Sequence, residues 1–270
     1  GREWLRAAPP VTACRETSLP YRIVLTFAET AADHPCAWRL ALRRPLDLLW
    51  AGGRFEAGAS EAALIAPPAK AGGGTTQAMI AWDPVRYARG ELRTAGRISG
   101  LPMGWVELLG GPQLAGAAVG GDLVFDGRWD AVLGPTMQLK ASLERSRGDL
   151  SVLAETGGGG SARVQAGVRE ARIALEGRGE AVTLSLRWDS ERAGTADARL
   201  ASRLAQGPEG WSWPEDAPLN GAVRAQLPRL GVWSLLAPPG WRLRGSLAAD
   251  VAVAGTRGEP QLTGNLRADD

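Results

Sequence analysis

Few residues in this 270-residue chain could do chemistry. There is one histidine, His34, in the segment Asp33-His34-Pro35-Cys36. A lone His leaves no His-Glu-x-x-His pair and no His-based metal triad. A Ser-His-Asp triad would have to use His34, and no Gly-x-Ser-x-Gly elbow accompanies it. Cys36 lies two residues from His34, too close along one strand-edge segment for a nucleophile pair, and reads as a loop His beside a paired or buried Cys. Cys14 and Cys36 are the only cysteines. They fit either two small buried residues or one disulfide, which needs an oxidising compartment. Gly72–Gly74 and Gly157–Gly160 have no following Gly-Lys-Ser/Thr, so they read as flexible loops, not phosphate cradles. The carboxylates are scattered among arginines, with no isolated pair in an apolar setting. These patterns point to a non-enzyme without metal or cofactor.

Composition narrows the partners. Lys plus Arg is 31 and Asp plus Glu is 29, a formal net charge of +2, which argues against a strongly basic nucleic-acid binder. Lys70 and Lys140 are the only lysines. No run of 18 apolar residues occurs, so no transmembrane segment is expected, and the chain reads as an internal piece of a longer protein. The eleven tryptophans could line a core or groove, or form an exposed carbohydrate platform. Trp38, Trp188 and Trp241 fall on the apolar side of alternating runs and favour the first reading.

The elements that must carry these residues have a period of two. Val182, Leu184, Leu186 and Trp188 alternate with Thr183, Ser185 and Arg187. Met137, Leu139, Ala141 and Leu143 alternate with Gln138, Lys140, Ser142 and Glu144. Trp241 to Val253, Leu262 to Leu266, Tyr21 to Phe27 and Trp38 to Leu42 do the same. Each run reads as a half-wet strand. The 36 glycines and 18 prolines suit short turns between successive antiparallel hairpins. Leu101-Pro102 and Leu227-Pro228 precede short apolar runs, predicting two short helices near 101–110 and 228–236. With the Gly-led strands around them they suggest a degenerate repeat. The organisation expected is 1–95, strand-rich; 96–220, a unit with a short helix and then strands; and 221–270, the start of a second such unit.

Several motifs carry a family resemblance. They are Gly194-Thr-Ala-Asp197, Trp211-Ser-Trp213-Pro, Ala217-Pro-Leu-Asn-Gly221, Leu227-Pro-Arg-Leu-Gly-Val-Trp233, Ala237-Pro-Pro-Gly-Trp241-Arg-Leu-Arg-Gly245 and Leu262-Thr-Gly264-Asn-Leu266. Gly96 to Trp129 looks like a preceding unit. The chain resembles the TamB family of translocation and assembly module proteins, within the AsmA-like, bridge-type lipid-transfer proteins. The resemblance covers residues 75 to 270 most specifically. It implies a mainly all-β fold, an elongated, curled antiparallel sheet with an apolar groove (a β-taco). It implies the periplasmic part of an inner-membrane-anchored protein of Gram-negative bacteria. It implies phospholipid acyl chains as cargo and a TamA-like outer-membrane barrel as partner, met through a C-terminal region outside this chain.

Carried onto this sequence, the groove would be lined by Ile23, Leu25, Leu139, Leu143, Val182, Leu184, Leu186, Leu243, Leu247, Val251, Leu262 and Leu266. Small residues on the same side (Ala141, Ala166, Gly245, Ala249) would leave room for a guest. The function expected is phospholipid transport between the inner and outer membranes, linked to outer-membrane protein assembly and secretion. The main alternative is a chaperone-like scaffold that pairs with outer-membrane proteins by β-augmentation. A transmembrane β-barrel is disfavoured by only two tyrosines and many prolines. A carbohydrate-binding adhesin would require tryptophans on a wet face.

Overall fold

The computed structural model describes residues 23–26, 38–66, 76–105, 120–155, 161–208, 210–230 and 245–269. Alternation of apolar and polar residues drives nearly all of them into strands. The first group is β1 (Ile23–Thr26), β2 (Trp38–Leu42), β3 (Leu48–Ala51), β4 (Arg54–Ala57), β5 (Ser60–Ile65), β6 (Gln77–Trp82), β7 (Val85–Ala88) and β8 (Glu91–Pro102). The middle group is β9 (Gly120–Gly121), β10 (Val124–Leu133), β11 (Gln138–Arg147), β12 (Leu150–Glu155), β13 (Ser161–Gln165), β14 (Val168–Arg178), β15 (Ala181–Ser190) and β16 (Gly194–Arg203). The last group is β17 (Ala205–Gly207), β18 (Gly210–Ser212), β19 (Asn220–Leu227), β20 (Ser246–Gly255) and β21 (Pro260–Asp269).

Sixteen strands form one sheet, whose main path runs β1-β2-β5-β6-β8-β10-β11-β14-β15-β16-β19-β20-β21. At ~4.8 Å between neighbours, these thirteen strands extend about 58 Å across the sheet. The pairing is antiparallel throughout the path except at β1 and β2, which run parallel. That pair corrects the expectation of successive hairpins. A parallel neighbour needs a longer connection than a tight turn, and 11 residues separate the two strands. The sheet runs unbroken across the two expected unit boundaries, because β8 spans 95/96 and β19 spans 220/221.

Three smaller assemblies sit on this sheet. β3, β4 and β7 branch from β8 as a flap. β13-β12-β9 form a three-stranded sheet at one end of the strands, and β17-β18 form a two-stranded hairpin at the other. The helices expected near 101–110 and 228–236 are not found as drawn. Leu101 and Pro102 complete β8, because they pair with Phe125 and Val124 of β10. Helical backbone begins only at Gly104 and Trp105. Pro228 is a bend and Leu230 a 3₁₀ residue; positions 106–119 and 231–244 lie outside the described residues.

Two buried clusters anchor the sheet, one near its first strands and one at the strand ends of its middle. Trp38, Ala66, Ala78 and Trp105 are buried together, with Leu64, Ile98 and Leu101 packed on them. Leu123, Ala166, Val168, Ala171 and Ala193 form the other cluster, where the small β9-β12-β13 sheet meets the starts of β10 and β14. Asp149 ties that junction. Its carboxylate accepts hydrogen bonds from the backbone N–H of Leu150, Gly167 and Val168 at 2.7, 2.9 and 3.0 Å.

Candidate functional site: one apolar sheet face

In an antiparallel ladder, directly opposed residues point to the same side of the sheet. The register can therefore be followed from strand to strand. Leu40 opposes Leu64, which opposes Ala78. Ile80 opposes Ile98, which opposes Gly127, which opposes Leu143. Leu143 opposes Ile173, which opposes Leu186, which opposes Ala198. Ala198 opposes Val223, Val223 opposes Val251, and Val251 opposes Gly264. One face is apolar along the whole path from β2 to β21.

The other face is charged by the same logic. Glu144, Arg172, Arg187, Asp197, Arg224, Asp250 and Asn265 stand opposite one another in successive strands. Arg187 pairs with Glu170 at 3.1 Å and Arg224 with Asp250 at 3.4 Å. A concavity of about 510 Å³ opens on this side, lined by Arg172, Ser185, Arg187, Asp197, Arg199 and Arg224. On the same sheet Arg169 forks onto Asp189 at 2.6 and 3.1 Å. That hydrogen bond and the Asp189 charge push the guanidinium further above its usual range. All these ion pairs are exposed, so they fix geometry more than they add stability.

Register places the lining candidates of β11, β15, β20 and β21 on one side of the sheet. Leu139 opposes Gly177, which opposes Val182. Leu184 opposes Leu200, and Leu247 opposes Leu227. Leu262 and Leu266 oppose Val253 and Ala249. Ile23 and Leu25 take register positions beside Trp38 and Leu40. Leu243, Cys14 and Cys36 lie outside the described residues. Of the small residues, Ala141 and Ala249 are on this face. Ala166 instead lies fully buried in the end cluster, and Gly245 precedes β20.

Cover on the apolar face is uneven. Near β2 to β8, Trp105 closes it. Its ring meets Trp38 edge-on at 4.7 Å, and its indole N–H donates to Thr76 Oγ1 at 2.5 Å. Trp38 is only 7% exposed. Further along, Leu184 is 37% and Leu186 40% exposed, and Leu262 and Leu266 on β21 reach 69%. A large apolar surface left open on a sheet is uncommon in proteins that act alone, and marks an interaction surface.

The β17-β18 hairpin bounds one end of this open stretch. Trp211 Nε1 and Gln206 Nε2 both donate to the Gly134 carbonyl, at 3.0 and 3.3 Å. Trp213 Nε1 donates to Ser202 Oγ at 2.8 Å, and Ser202 shares the apolar side with its register partner Val182. The hairpin therefore reaches from β16 back to the β10-β11 turn.

Sequence reading alone did not single out Ile173, Leu175, Leu200 and Val223, which complete the middle of the face. Their strands alternate as clearly as those that were recognised. It also did not recognise the flap, although Gly52-Gly53 between alternating residues is a two-residue hairpin signal. Both glycines take positive φ, 57° and 74°, as a type I′ turn demands.

Among the described residues no group of His, Cys, Asp and Glu is placed to hold a metal ion. No helix among them is long and apolar enough to cross a membrane. No protein-family model, curated protein or solved structure matches the chain.

Proposed function

We propose that this chain is a segment of a periplasm-spanning conduit. In this reading phospholipid acyl chains move along the apolar face, curled lengthwise into a groove, between the inner and outer membranes. The service is to outer-membrane biogenesis, including protein assembly and secretion. The chain is the periplasmic part of an inner-membrane-anchored protein, and a TamA-like barrel is met through a region beyond it. The chain itself catalyses no reaction.

One observation carries the reading: the apolar face is continuous in register across the path and is open from β15 to β21. An acyl chain laid there gains about 0.8 kcal/mol per buried methylene, while its headgroup stays in water. The motif resemblance to the TamB family supports the same reading. From β15 to β21 this face carries no charged residue, which suits cargo that must slide.

The test is photo-crosslinking from Leu184 and Leu247, with Ser185 on the charged side as control, and mass spectrometry of the adducts. Phospholipid captured at the first two and not at the third is expected. No lipid at any site in a folded chain overturns the conduit.

A second reading is a scaffold that adds a strand of an outer-membrane protein to the sheet. It is favoured by β21, which among the described strands pairs with β20 alone and is exposed along all ten residues. It expects peptide adducts at Thr263 or Asn265 in place of lipid adducts at Leu184.

A further inference from the structure

Four tryptophans gather on the apolar face between β2 and β10. Trp82 of β6 opposes Gly96 of β8, and Gly96 opposes Trp129 of β10. The row continues to Ser60 on one side and Ala141 on the other. Its other members are thus small, and the two indoles alone give it height. Trp129 also takes the place of the missing Gly96 side chain, because a Cβ there would run into its ring. In the next row Ile80, Ile98 and Gly127 oppose one another. Past that row Trp105 is buried with Trp38, Ala66 and Ala78, and Ile98 packs on the same cluster. Three of the rings are held by their N–H groups. Trp82 Nε1 donates to the Gly58 carbonyl at 3.1 Å, Trp105 Nε1 to Thr76 Oγ1 at 2.5 Å and Trp129 Nε1 to Thr94 Oγ1 at 3.1 Å.

The same rows change character after β10. One continues as Leu143, Ile173 and Leu186, the other as Leu175, Leu184 and Leu200. Neither row holds an aromatic residue from β11 to β21. Ile173 is 39% exposed, whereas Trp105 is 2% exposed. We infer that this belt of tryptophans is a stop: it closes the apolar groove at β6 to β10 and confines an apolar guest to the stretch from β14 to β21. An indole stands higher on a sheet than the Leu and Val of the open rows, so it fills the space a guest would need. The bonded rings are also the side chains least able to make way, since each would give up an N–H bond along with its packing. Trp82 and Trp129 decide the matter, because their row is otherwise low. The inference rests on the conduit reading for the identity of the guest, an acyl chain.

The experiment places the photo-crosslinker at Leu186 or at Leu42, which share a register row on opposite sides of Trp82 and Trp129. The full chain is offered vesicles of phosphatidylethanolamine and phosphatidylglycerol. Wild type should give lipid adducts at Leu186 and none at Leu42. Trp82→Leu with Trp129→Leu gives the row the make-up of the open stretch and should yield adducts at both sites, with circular dichroism unchanged. Trp82→Phe with Trp129→Phe keeps both rings and should still stop the lipid. Adducts at Leu42 in wild type overturn the stop and leave the conduit standing, a result that needs no variant to fold. A folded leucine variant with adducts at Leu186 alone also overturns it, since the rings would then do no more than pack the sheet. Adducts at Leu42 in the phenylalanine variant overturn the role of the rings. No adduct at either site in folded wild type overturns the conduit and the stop with it.

Discussion

The indole of Trp129 lies directly over Gly96. A Cβ built on Gly96 would come within 2.4 Å of Trp129 Cζ2 and 2.5 Å of the Ala81 carbonyl. The two residues oppose each other in the β8-β10 ladder, on the apolar face, and Trp129 Nε1 donates to Thr94 Oγ1 at 3.1 Å. The glycine is the hole that the ring fills. An aromatic ring on a neighbouring strand thus replaces the missing side chain.

Gly96→Ala should therefore destabilise the sheet by about 1–3 kcal/mol, the usual range for overpacking. Urea unfolding followed by circular dichroism measures it. Measured against Trp129→Ala alone, the same Gly96→Ala change should cost less but still something, because the Ala81 carbonyl still crowds the new methyl. No cost in that background would show that the ring alone sets the constraint.

Trp105→Ala should cost about 3–5 kcal/mol, as expected for deleting a buried Trp. It removes the edge-on contact to Trp38 and the bond to Thr76. Trp50→Ala should stay within about 0.5 kcal/mol of wild type, because its ring is exposed. Thermal melts of the two variants, side by side, check the contrast.

Asp149→Asn should open the junction of β12 and β14. The amide can replace one carboxylate oxygen but turns a donor toward the Gly167 N–H. The expected cost is about 1 kcal/mol, the low end for an unpaired donor, because Gly167 is half-buried. Hydrogen exchange should speed at Gly167 and Val168 and not on β20. Unchanged exchange at those amides would refute the clamp.

Trp211→Phe keeps the ring and removes the N–H that reaches Gly134. The β17-β18 hairpin should then exchange faster and become more sensitive to protease, while the melting of the main sheet barely moves. Loss of the whole fold would mean that the hairpin is an integral part of the core.

The sequence by itself determined the class of fold and the side to which residues point. Side chains alternate along any strand, so Leu184 against Ser185, or Leu139 against Lys140, could be sorted before any pairing was known. It also marked β2 at its observed limits and the middle parts of β11, β15 and β21. The pairing belonged to the tertiary structure. The parallel β1-β2 pair, the flap on β8 and the hairpin bonded to Gly134 all join residues whose contact depends on loop closure, which local pattern does not encode. Cover was decided there too. Trp38 and Trp50 each sit in an apolar run, yet one is buried against Trp105 and the other stands in the open. Burial depends on what a distant part of the chain lays over a face. The alternation of one strand carries no record of that.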